Sequence, residues 1–132
     1  MSERPPAPYV YAMLRLVPRI ERGECFNVGV VMLSRPRRFL GVRTGLDERR
    51  LHALAPGLDA DIVRQHLAAV ERVVAGDPDA GPMAALDISE RFHWIASPSS
   101  TILQPSAVHT GLTRDPDATL DRLFRELVEP VG

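Results

Sequence analysis

Apolar and polar positions change period along the chain. From Tyr9 to Val17 they alternate: Val10, Ala12, Leu14 and Leu16 point one way, and Tyr9, Tyr11, Met13 and Arg15 the other. This is the period of a strand. Phe26 to Leu33 is almost wholly apolar, as expected of a central strand covered on both faces. Phe39 to Thr44 predicts a third strand. Pro18 to Glu24, which contains Gly23, and Ser34-Arg35-Pro36-Arg37 supply the turns. The first half therefore predicts an antiparallel meander of strands 9–17, 26–33 and 39–44.

A helical period follows. Asp47 is placed to cap a short helix (47–55) that ends before Pro56-Gly57. Val63, Leu67, Val70 and Val74 recur at helical spacing and predict a helix over 60–75, with Gly76 as its stop. Gly76, Pro78, Gly81 and Pro82 make 76–86 a loop. Asp87 and Glu90 resemble a capping box for a helix over 88–95, in which Phe92 and Trp94 are expected to anchor to the core. A short strand at 101–104 is closed by Pro105, and the Ser and Thr around Pro98 and Pro105 read as turn formers. His109 before Thr110-Gly111 reads as a loop residue. Asp115-Pro116 opens a last helix (116–129), striped by Leu120, Leu123, Phe124, Leu127 and Val128. The expected fold class is α+β, a three- to four-stranded antiparallel sheet covered by helices. Residues 1–7 are expected to be a disordered start and 8–132 a single domain.

Composition narrows the function classes. The chain has 132 residues, 45% hydrophobic and 25% charged, an ordinary globular balance. No apolar run could span a bilayer and no signal-peptide pattern follows Met1, so a cytoplasmic location is expected. A lone Cys25 allows neither an internal disulfide nor a cysteine-based metal site. All 16 basic residues are Arg, as a GC-rich genome writes them, which weakens Arg abundance as a sign of nucleic-acid binding. Residues 1–54 carry 10 Arg and 5 acids, and 55–132 carry 6 Arg and 12 acids. That asymmetry suits either a basic binding surface or a basic sheet facing acidic helices. His52, His66, His93 and His109 lack metal-ligand spacing, so neither metal nor cofactor is expected. No nucleophile elbow, Walker loop or dinucleotide fingerprint occurs.

Strand register gives the sharpest inference. Pairing Leu16 with Phe26 sets Leu14 opposite Val28, Ala12 opposite Val30 and Val10 opposite Met32, an apolar face. The reverse face then places Arg15 opposite Asn27, Met13 opposite Gly29, and Arg43 opposite Gly29. Two guanidiniums and an amide around a Gly floor have the chemistry to hold a carboxylate or phosphate. The same residues would equally serve as structural ion pairs with helix acids such as Glu71 or Asp121.

The stretches "ERGECFNVGVVML" and "STILQPS…HTGL…DPDATLDRLF" resemble a family of small bacterial proteins, domain of unknown function 3037. Glu24, Asn27, Gly29 and Val30 carry the first motif. Ile102 and Gln104 carry the second, Leu120 to Phe124 match the closing helix, and Tyr11 and Arg15 match at the start. The resemblance implies no catalytic roles. It implies a partner, a HipA-like kinase encoded nearby, and an Arg where Pro98-Ser99-Ser100 stands here. Glu24 is a candidate partner for Arg15 or a neighbouring Arg.

Three functions follow as expectations. One is a non-enzymatic accessory domain that binds another protein. Another is a phosphate- or nucleotide-binding domain or small enzyme using Arg15, Glu24, Asn27, Gly29, Arg43, Gln104 and His109. The last is weak nucleic-acid binding through the Arg35 to Arg38 turn, the least expected because no aromatic platform accompanies it. Whether the chain is an enzyme is left open. Edge strands make a homodimer plausible, and no membrane partner is expected.

Overall fold

A computed structural model describes residues 4–98 and 101–130. Five strands form one antiparallel sheet: β1 (Ala7–Leu16), β2 (Phe26–Ser34), β3 (Phe39–Thr44), β4 (Leu103–Pro105) and β5 (His109–Thr113). The spatial order is β3-β2-β1, and both β4 and β5 pair with the far side of β1. The helices are α1 (Glu48–Leu54), α2 (Ala60–Ala75), α3 (Ile88–Ala96) and α4 (Pro116–Leu127). The fold is α+β. The expected disordered start falls partly on residues 1–3, outside the described residues, and Ala7 already pairs with Thr113.

β2 is the central strand that its composition predicts. One apolar layer joins Ala12, Leu14, Leu16, Val28, Val31 and Leu33 to Leu51 of α1, Val63 and Leu67 of α2, and Phe92 and Ile95 of α3. The other joins Tyr9, Val30 and Met32 to Leu120 and Leu123 of α4, with Val128 just beyond it. Side chains in β2 reach both layers, so either parity of the strand buries apolar groups.

That ambiguity explains the register correction. Arg15 faces Asn27 and Leu16 faces Phe26, as expected. Beyond them Val28 is an extra residue, and the ladder resumes with Leu14 opposite Gly29, Met13 opposite Val30, Ala12 opposite Val31 and Val10 opposite Leu33. A β-bulge bends the strand and changes which side each later residue faces. Here it puts Val28 and Val31 in the same layer. The Val28 carbonyl accepts from the Gly45 N–H at 2.9 Å, outside the regular ladder. On the other side Thr44, not Arg43, faces Gly29, and Arg43 faces Val30.

Caps fix the helices. Asp47, Asp59, Asp87 and Asp115 each accept backbone N–H bonds at the starts of α1, α2, α3 and α4. Arg91 of α3 donates to the carbonyls of Val73 and Val74 at the end of α2, at 3.2 and 2.8 Å, tying the two helices together. β5 corrects the loop expected at His109. At the junction of β4 and β5, Ser106 is buried: its N–H donates to the Met13 carbonyl and its Oγ accepts from the Met13 N–H, both at 2.8 Å. A side-chain hydroxyl thus closes the ladder where the edge strand breaks.

Candidate functional site

Three of the expected polar residues meet. Asn27 on β2, Arg15 on β1 and Gln104 on β4 are consecutive cross-strand partners and form one row across the sheet. Each is already engaged. The Asn27 amide donates to the Leu127 carbonyl at the end of α4 at 2.9 Å and contacts the Met13 sulfur at 3.2 Å. Arg15 donates through Nη2 to the Pro105 carbonyl at 3.3 Å, while its Nε is buried and unpartnered. Gln104 donates to the Thr101 carbonyl at 3.3 Å.

The other expected residues lie elsewhere. Arg43 sits on the outer flank of β3, where it pairs with Asp121 at 3.0 Å and Asp117 at 3.6 Å, both on α4. Glu24 pairs with Arg22 in the exposed turn before β2, not with Arg15. His109 faces Tyr11 on β1 and stacks on its ring, with centroids 5.2 Å apart. Tyr11 and Arg15 are four residues apart on one strand, or about 13 Å at the usual rise. Gly29 is no ligand floor: a Cβ there would meet the Arg43 carbonyl at 3.1 Å and Leu14 Cδ1 at 3.2 Å. α4 packs on β2 and β3 and covers the space between Arg43 and the Asn27 row. Ser99 and Ser100, in the loop where the resemblance implies an Arg, lie outside the described residues.

An unfilled surface lies on the opposite side of the sheet. α3 and the β1–β5 edge flank an open groove of about 660 Å³, lined by Val10, Leu33, Phe92, Val108 and Thr110 among others. Its floor is the buried core: Phe92 is 1% exposed and Leu33 3%. Its rim is apolar and open, with Val108 48% exposed. Leu112, two residues beyond Thr110 on the same face of β5, is 68% exposed. Further along the edge, a second cavity of about 440 Å³ lies under Trp94, Leu103 and Pro105. Trp94 is 47% exposed, so only Phe92 of the expected aromatic pair anchors to the core. The signal for this surface was in the sequence: Val108, Thr110 and Leu112 alternate at strand period, and Gly111 disguises them as a loop.

The ionisable groups around the groove are few. Arg35 lines it and donates from Nε to Ser89 Oγ at 2.7 Å. The Asp87 carboxyl is held below its usual range chiefly by the backbone N–H of Glu90, with Arg35 a lesser contributor. Among the described residues no group of His, Cys, Asp and Glu could hold a metal ion. No helix is long and apolar enough to cross a membrane among the described residues.

No curated protein and no solved structure matches the chain. Residues 11–128 match the family described as protein of unknown function (DUF3037), and since that match spans most of the 132 residues, the chain belongs to this family.

Proposed function

We propose that this protein is an interaction domain that captures an extended segment of another protein along the outer edge of β5. The observation that carries the reading is the exposure of Val108 and Leu112, 48% and 68%, beside a groove floored by core residues. Exposed apolar side chains along one face of an edge strand, beside an apolar groove, mark a docking surface. The outer edge of β5 offers backbone N–H and C=O groups at strand spacing, and an added strand satisfies them while its alternate side chains enter the groove. The phosphate- or nucleotide-binding reading has less support, because Arg43 is paired to two acids of α4, Arg15 bonds the Pro105 carbonyl and Asn27 is bonded to the helix end.

A HipA-like kinase, the partner implied by the family resemblance, is the first protein to test. Co-expression is expected to yield a complex that also forms on titration at about micromolar concentration. The double variant Val108→Thr/Leu112→Thr removes the apolar rim without adding charge and is expected to abolish that complex. A complex indifferent to the double variant would sink the β5 reading, and absence of any complex would remove the kinase as partner.

A further inference from the structure

We infer that the segment taken by the β5 edge is acidic, an extended stretch alternating apolar side chains for the groove with carboxylates that meet the arginines at its end. This rests on the docking reading above and adds the chemistry of the partner. Arg35 is the one charged residue among those that line the groove, apart from the titratable His93, and no carboxylate lines it. The groove runs to the end of the sheet where the β2–β3 turn meets the start of β1. Arg37 in that turn donates to the Pro5 carbonyl, and Arg114 directly follows β5. Arg35, Arg37 and Arg38 in that turn and Arg114 after β5 therefore lie at the same end of the sheet. None of the four makes an ion pair among the described residues.

The nearby acids also serve the fold. Asp87 accepts the Glu90 N–H at 2.9 Å, Asp115 accepts the Ala118 N–H at 3.3 Å, and Asp117 is turned to Arg43. Asp87 lies near enough to Arg35 to feel its charge, but no carboxylate forms an ion pair with any of the four among the described residues, so this end can take further acids. Planar guanidinium forks suit carboxylates. A second copy is a poorer occupant, because two-fold pairing of the edge is antiparallel and would set this cationic end against the His109 end of the other copy, where residues 103–113 contain no acid. A helix is poorer too, since it leaves the β5 backbone groups unpaired.

A displayed library of random peptides, selected on the full chain and counter-selected on Val108→Thr/Leu112→Thr, tests the inference. The enriched peptides are expected to alternate apolar residues with Asp or Glu. Synthetic copies followed by fluorescence anisotropy should weaken as salt is raised, and Arg35→Glu should weaken them by about tenfold. Exchanging Glu for Lys in the peptide should restore binding to Arg35→Glu. Circular dichroism checks the fold of each variant, and Arg114→Glu replaces Arg35→Glu if the latter unfolds. Enriched peptides without acids, or acidic ones indifferent to both reversals, would overturn the acidic partner and leave the docking edge standing. No enrichment over the counter-selected variant would overturn the docking edge itself. Salt-dependent binding of a random-sequence oligonucleotide as tight as the best peptide, lost in Arg35→Glu, would reassign the cationic end to nucleic acid.

Discussion

The two sides of the sheet contrast sharply. On the α4 side, the polar residues that look chemical are bonded into the fold: Asn27 to the end of α4, and Arg43 to two of its acids. On the α3 side, residues that read as loop and core filler leave Val108, Leu112 and Trp94 open to solvent. A polar side chain within a sheet must first satisfy itself, so its presence says little about ligands until its partners are counted. An apolar strip with nothing on it is the more informative anomaly. The comparison predicts that the α4 side governs stability and the β5 edge governs binding.

The largest expected effect tests the first half. Leu120 is fully buried between α4 and the sheet, and Gly41 on β3 admits it closely, since a Cβ there would lie 2.8 Å from Leu120 Cδ2. Leu120→Ala should lower unfolding stability by about 2–5 kcal/mol, read as a shifted urea midpoint with an unchanged slope. A loss below about 1 kcal/mol would mean that α4 is not firmly docked and that the face beneath it is available to ligands.

Asn27 comes next. Asn27→Ala removes the donor to the Leu127 carbonyl and should cost about 1–3 kcal/mol. Asn27→Asp should cost at least as much, because a carboxylate cannot donate to that carbonyl. A stable Asn27→Ala variant would break the comparison by freeing Asn27 for a role beyond the fold.

Much of this was legible in the sequence, with instructive gaps. The helix bounds followed from caps and stripes: Val63, Leu67 and Gly76 mark out α2, and Asp115-Pro116 starts α4. The Arg15–Asn27 pairing was legible too, because setting Leu16 opposite Phe26 lines up apolar residues on one face and brings Arg15 to Asn27 on the other. The bulge at Val28 was not, since the unbroken apolar run from Val28 to Leu33 suits both layers and leaves no pattern to violate. β5 was hidden because Thr110-Gly111 reads as a turn, and the strand period of Val108, Thr110 and Leu112 beside it has no buried apolar face to make it stand out. The β5 surface escaped notice for the same reason. Arg15 and Gln104 were legible as neighbours, but not the carbonyls they bond, because backbone acceptors leave no trace in residue identity.

The smallest expected effect on stability is the most telling for function. Leu112 is 68% exposed and pairs with Pro8 at the edge, so Leu112→Thr removes little buried surface and puts a β-branched residue, well suited to a strand, in its place. Its unfolding free energy should stay within about 0.5 kcal/mol of the parent. If so, any loss of partner binding belongs to the surface and not to the fold. A drop comparable to that of Asn27→Ala would show Leu112 packed in solution, by another part of the chain or by a second copy. Sedimentation at several concentrations separates these outcomes, because a dimer built on this edge would dissociate on Leu112→Thr and a monomer would sediment unchanged.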